Sequence, residues 1–182
     1  IWMENLDGQG NFSSDNLISD QISSGESIFA ADFDGDGDLD VLSASKSDNK
    51  IAWYENTDGT GNFGGQQIVS TTATGTLRAV AADIDNDNDM DIIATISLDD
   101  LVVVYKNLDG QGNFGAAETI SSMVDNPNLV YAKDFDGDNY IDILVDGKGD
   151  DNIYYFENEN GVLATPDILN TNSTSSETTS SL

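Results

Sequence analysis

Fourteen aspartates of this chain fall into three nine-residue runs spaced 51 residues apart, five in the first, five in the second and four in the third. The runs are Asp32-Phe33-Asp34-Gly35-Asp36-Gly37-Asp38-Leu39-Asp40, Asp83-Ile84-Asp85-Asn86-Asp87-Asn88-Asp89-Met90-Asp91 and Asp134-Phe135-Asp136-Gly137-Asp138-Asn139-Tyr140-Ile141-Asp142. Carboxylates this crowded repel one another, which raises pKa values and works against a compact state. A doubly charged cation that accepts six to eight oxygens at about 2.3–2.6 Å removes the conflict. Carboxylates at positions 1, 3, 5 and 9 of such a run, with the main-chain carbonyl of position 7 (Asp38, Asp89 or Tyr140), supply that oxygen shell. Calcium fits this donor set better than magnesium, which keeps more of its water. The alternative is three solvated acidic turns without an ion, and three runs in register argue against it.

Position 6 is where such a loop turns sharply, so glycine suits it. It is Gly37 in the first run and asparagine, the next most tolerant residue of a left-handed backbone, at Asn88 and Asn139.

The repeat extends well beyond the aspartates. Trp53-Tyr54-Glu55-Asn56 matches Trp2-Met3-Glu4-Asn5 and, more loosely, Val104-Tyr105-Lys106-Asn107 and Tyr155-Phe156-Glu157-Asn158. Phe12, Phe63 and Phe114 coincide after Gly-Asn, and Ile28, Ala79 and Val130 coincide ahead of the acidic runs. Self-similarity at a period near fifty marks a repeat architecture. Within one unit, Ala79–Ala82 leads into the loop and Met90–Ile96 leaves it. Leu101–Tyr105 follows a turn at 98–100, and Phe114–Ile120 follows the turn at 107–112. These runs are rich in β-branched and aromatic residues and bounded by Gly, Asn and Asp, and none has helical periodicity. Four short strands per unit is the make-up of a propeller blade. The flanking strands also exclude a helix–loop–helix calcium hand, whose glutamate at position 12 is replaced here by Ser43, Ala94 and Val145.

The run Ala31–Val41, followed by Trp53–Asn56 and Gly61-Asn62-Phe63, resembles the FG-GAP/VCBS-type repeat, a family that includes the calcium-bearing blades of integrin α-subunit propellers and of many bacterial secreted proteins. The resemblance implies an all-β fold of four-stranded antiparallel β-propeller-type blades, about three and a half of them, in residues 1–169. They comprise a partial blade at 1–22 and blades at about 28–71, 79–122 and 129–169. It places each acidic loop in the hairpin between the first two strands of a blade. Carried over by position, the metal residues are Asp32, Asp34, Asp36, Asp38 and Asp40, then Asp83, Asp85, Asp87, Asp89 and Asp91, then Asp134, Asp136, Asp138, Tyr140 and Asp142, for about three calcium ions. Residues 170–182 reduce almost to Ser, Thr and Asn and read as a flexible tail or linker.

The charge narrows the partners. With 34 acidic against 6 basic residues the chain carries a formal −28, so it has no basic face for nucleic acid or for an anionic membrane. No stretch is long and apolar enough to span a bilayer as a helix. Histidine and cysteine are absent, which removes the usual nucleophile and base pairings and argues against an enzyme. The chain begins in mid-unit at Ile1 and reads as a piece of a longer protein, whose remaining blades, or another copy, cover its open edges. The expectation is a secreted or cell-surface calcium-binding scaffold with a protein or glycan ligand. A segment of a polysaccharide-degrading enzyme and a plain spacer are the alternatives. Trp2, Trp53, Tyr54, Tyr105, Tyr155 and Phe156 read mainly as packing between sheets, with Phe12, Phe63 and Phe114. Arg78, Met123–Asn128 and Ser45–Lys50 depart from the repeat and are the candidate binding face. Glu4, Glu55 and Glu157, with Lys106 in the remaining copy, read as one exposed strand position.

Overall fold

The computed structural model describes residues 1–169, so the segment 170–182 lies outside it. The described chain is all strand and turn, without a helix. Three four-stranded antiparallel sheets follow one another. Blade A is β1 (Gly25–Ala31), β2 (Asp40–Ser45), β3 (Lys50–Tyr54) and β4 (Gln67–Ser70). Blade B repeats it with β5 (Thr76–Ala82), β6 (Asp91–Ile96), β7 (Leu101–Tyr105) and β8 (Glu118–Ser121). Blade C has β9 (Pro127–Lys133), β10 (Asp142–Gly147) and β11 (Asn152–Phe156), then a hairpin of β12 (Asn158–Glu159) and β13 (Val162–Leu163), and closes with β14 (Asp167–Ile168). In A and B each strand pairs with the next, a plain meander. Blade C does the same once its extra hairpin is set aside.

Alternation of side chains explains the stacking, because successive residues of a strand face opposite sides of the sheet. From blade B, Ala79, Ala81, Ile92, Ala94, Ile96, Val103 and Tyr105 join Leu42, Ala44, Ile51 and Trp53 of blade A in one core. The residues between them, Ala82, Ile93, Val102 and Val104, join Val130, Ile143, Val145, Tyr154 and Phe156 of blade C in a second. A central blade is therefore apolar on both faces, which is why β6 reads as a continuous run, fully buried from Asp91 to Ile96. The first strands β1, β5 and β9 pack side by side and form the inner edge of the stack.

Two boundaries differ from the sequence expectation. The first strand of each blade starts three residues ahead of Ile28, Ala79 and Val130, at Gly25, Thr76 and Pro127. The extension crosses a break in register, as between Gly25 and Ser27 or Thr76 and Arg78, and its residues (Gly-Glu-Ser, Thr-Leu-Arg and Pro-Asn-Leu) share no repeated pattern that would mark a strand. The fourth strand is shorter than Phe114–Ile120, because Phe114 pairs only in an isolated bridge with Asn107 and the ladder begins at Glu118. In blade C the corresponding turn tightens to Asn160-Gly161, both left-handed at φ 56° and 80°, the pair a two-residue hairpin requires.

The segment 1–22 contributes two isolated bridges, Trp2 with Asn16 and Asn5 with Phe12, on the outer side of blade A. The Trp2 indole N–H donates to Gly61 O at 3.2 Å, and its ring meets Phe63 edge-on. The Trp53 ring lies likewise against Gly112 of blade B. Both glycines have left-handed backbones and lie where a Cβ would enter the indole ring, so each tryptophan reads the next blade's turn. Of the aromatics expected in the packing, Trp53, Tyr54, Tyr105 and Phe156 are buried. Phe114 packs edge-on against Phe33. Phe12 is the exception: it is exposed, since nothing among the described residues stacks beyond the partial blade.

Candidate metal centres

Each acidic run forms the hairpin between the first two strands of its blade, β1–β2, β5–β6 and β9–β10. The chain bends there because short acceptors cap backbone donors a few residues on, and because two residues per loop take left-handed geometry. Asp32 accepts the N–H groups of Gly35 and Gly37 at 2.8 and 3.0 Å. Asp134 does so for Gly137 and Asn139 at 2.6 and 3.0 Å, and Asp83 for Asp87 and Asn88 at 3.0 and 2.9 Å. Position 6 is left-handed as expected, at φ 93°, 75° and 72° for Gly37, Asn88 and Asn139. Position 4 is left-handed too in all three loops, at φ 75° for Gly35, 64° for Asn86 and 90° for Gly137. That second turn was not foreseen, although glycine or asparagine at both even positions was its signal.

The loops gather carboxylates. Oxygens of Asp32, Asp34 and Asp36 converge within 4.8 Å of one another, as do those of Asp83, Asp85 and Asp91, and those of Asp134, Asp136 and Asp142. Of the remaining sequence candidates, Asp38 and Asp89 turn their carboxylates toward Gly59 and Gly110, an oxygen standing 2.5 Å from where a Cβ on either glycine would sit. Each still carries the main-chain oxygen of position 7, as Tyr140 does in the third loop. Asp87 and Asp138 accept the N–H groups of Asp89 and Tyr140 at 3.0 and 2.8 Å.

Position 9 has a second task that spacing alone does not reveal. Asp40, Asp91 and Asp142 are buried, and each carboxylate holds two backbone donors. One is the N–H of position 2 (Phe33, Ile84 and Phe135, at 2.9, 3.2 and 3.0 Å). The other is the N–H of the asparagine that ends the Trp-Tyr-Glu-Asn motif (Asn56, Asn107 and Asn158, at 2.8, 2.9 and 2.9 Å). That asparagine then reaches across the seam. Asn107 Nδ2 donates to Phe33 O of blade A at 2.9 Å, and Asn158 Nδ2 to Ile84 O of blade B at 2.8 Å. The three hairpins are thus joined by buried hydrogen bonds running from Asp40 through Phe33, Asn107, Asp91, Ile84 and Asn158 to Asp142. The asparagine recurs in all four copies, and that recurrence was the visible sign of its task.

Electrostatics favour a cation here. Burial raises the carboxyl of Asp34, with Asp36 and Asp32 adding to it. Burial raises Asp40, and it raises Asp91 to about 6 against the two N–H groups donated to it. In the third loop the N–H of Asp138 lowers Asp136, yet burial and the charges of Asp138, Asp142 and Asp134 carry it upward. Ligand-type oxygens held close, partly desolvated and mutually repelling are what a hard divalent ion neutralises. The donor set is oxygen throughout, which suits calcium or magnesium and not a thiolate-seeking metal.

The other candidates divide. Ser45–Lys50 is tied up in its own turn, where Asp48 accepts from Ser45 Oγ at 2.5 Å and pairs with Lys50 at 3.0 Å. In Met123–Asn128, Val124 is fully buried in the second core while Met123 is exposed. Arg78 donates to Glu26 O at 2.5 Å and borders an apolar groove at the inner edge with Phe29, Val80, Leu129 and Tyr131. Lys106 is half-buried and not simply exposed, and it pairs with Asp85 at 3.0 Å.

Stacked four-stranded sheets with an acidic hairpin at the same place in each define a protein built of propeller-type blades. The sequence model of the FG-GAP-like repeat matches residues 1–43 and 32–94, more than half of the chain, and the chain belongs to that family. No curated protein matches it. Among the described residues no helix is long and apolar enough to cross a membrane.

Proposed function

We propose that this chain is a calcium-stabilised scaffold of a secreted or cell-surface protein, in which ion-bound hairpins hold the blades in register so that their surface can engage a protein or glycan. The observation that carries the reading is the convergence of three carboxylates in each of three hairpins, one blade apart. The ligands are Asp32, Asp34, Asp36 and Asp40 in the first loop and their counterparts in the others, with position 7 giving its main-chain oxygen. Bound calcium supplies the positive charge that these carboxylates lack. The chain's own residues do the rest: position 9 fixes the hairpin to its blade, and the seam asparagine fixes it to the blade before. An extracellular setting agrees with this, since free calcium is plentiful there and a chain with no cysteine has no disulfide to staple it.

Removal of the ion tests the reading. At free calcium about ten times the dissociation constant one site adds about 1.4 kcal/mol, and three add about 4 kcal/mol. Calorimetry of the chelated chain should therefore show a melting temperature about 10 °C lower than in calcium. Magnesium should restore less of it. Equal melting temperatures in chelator and in calcium would refute the stabilising role. A glycan array probed with the calcium form tests the recognition half, and silence across it favours a protein ligand or a spacer.

A further inference from the structure

We propose that Lys106 is a built-in counter-ion of the second hairpin and sets its calcium affinity below that of the first and third. The inference rests on the calcium reading above and concerns only how the three sites differ. Lys106 occupies the repeat position filled by Glu4, Glu55 and Glu157 in the other copies. The backbone does the same work in each copy, because the carbonyl of Lys106 accepts from Gly115 N at 2.7 Å, as Glu55 O accepts from Gly64 N and Glu157 O from Ala164 N at 2.8 Å. Only the side chain is reversed in charge.

That reversal reaches the loop. Lys106 Nζ lies 3.0 Å from Asp85 Oδ2, and Asp85 is the position-3 carboxylate of the second cluster. In the first and third loops the position-3 carboxylate caps the N–H of position 5, Asp34 for Asp36 at 3.3 Å and Asp136 for Asp138 at 3.1 Å. In the second loop the Asp87 N–H goes to Asp83 instead, and Asp85 Oδ1 is left buried without a hydrogen-bond partner. The pair sits in a groove between blades B and C lined by Ile84, Glu118 and Leu163, with Gly161 against the Asp85 backbone. A calcium ion entering this loop must share Asp85 with an ammonium or displace it, and the positive charge repels the ion from close range. No lysine or arginine is paired with an acidic loop residue in either of the other hairpins among the described residues.

Calcium titration calorimetry of the full chain, alongside Lys106→Glu and Lys106→Met, tests the inference. The native chain should show two tighter sites and one weaker by about tenfold or more. Lys106→Glu should bring the third into line with the others, and Lys106→Met should do so in part. Lys106→Met should also melt lower than the native chain in chelator, having lost its counter-ion, and gain more on adding calcium. Three equal native sites, or a weak site untouched by Lys106→Glu, would overturn the role of Lys106 and leave the calcium reading standing. If Asp34→Ala and Asp136→Ala each leave the number of bound ions unchanged, the calcium reading itself fails and takes this inference with it.

Discussion

Phe33→Ala should destabilise the chain by about 3–5 kcal/mol, while Phe135→Ala, the same change at the same position of the third hairpin, should cost about 1 kcal/mol. Both residues follow the first aspartate of their loop, and the sequence treats them alike. Their surroundings differ. Phe33 is 1% exposed, with its ring centroid 5.8 Å from Trp53 of its own blade and 5.8 Å from Phe114 of the next. Truncating it opens a cavity at the seam and removes both ring contacts. Phe135 is 46% exposed and, among the described aromatic rings, pairs with Tyr155, because no described blade covers the outer face of blade C. Denaturant unfolding of the two variants measures the contrast. Equal losses would show that blades A and B do not stack as described.

Asp91→Ala should cost about 2–4 kcal/mol, since it leaves the buried N–H groups of Ile84 and Asn107 without acceptors and unties the hairpin from its blade. The loss should be larger in calcium than in chelator, because the ion-free chain gains some relief from giving up a buried charge. The pH dependence makes the same point with a sign. Burial, with Asp85 and Asp87 nearby, raises this carboxyl from 3.8 to about 6. A raised carboxyl pKa favours the protonated folded state. In the ion-free chain its contribution is therefore fully present below 3.8 and is lost as the pH rises through about 6. Calcium should reverse the trend over the same interval, since on the proposed function the proton and the ion compete for one carboxylate. Chemical denaturation of the ion-free chain across this interval should fall with pH, and Asp91→Asn should flatten the fall. An unchanged slope in that variant would assign it to other groups.

How much of this was written in the sequence depends on distance along the chain. The acidic hairpins were legible because every residue of each lies within one short window, and the left-handed Asn88 and Asn139 were foreseen from turn chemistry alone. The all-β blade followed from the 51-residue period. What stayed hidden lies between blades. Asn107 and Asn158 could be seen to recur, yet their amide bonds to Phe33 and Ile84 span 74 residues. Lys106 looked like an ordinary surface substitution until the fold set it beside Asp85. The different fates of Phe33 and Phe135 depend on which neighbour stacks on them, and a single unit carries no record of its neighbour.

A divalent ion at each acidic hairpin should neutralise it and so let consecutive sheets stand together. Equilibrium dialysis of the full chain against millimolar calcium, with the bound metal counted by elemental analysis, tests it most directly. Three ions per chain are expected, falling to two in Asp34→Ala or Asp136→Ala and staying at three in Glu55→Ala. A folded chain that binds none at that concentration would contradict the account.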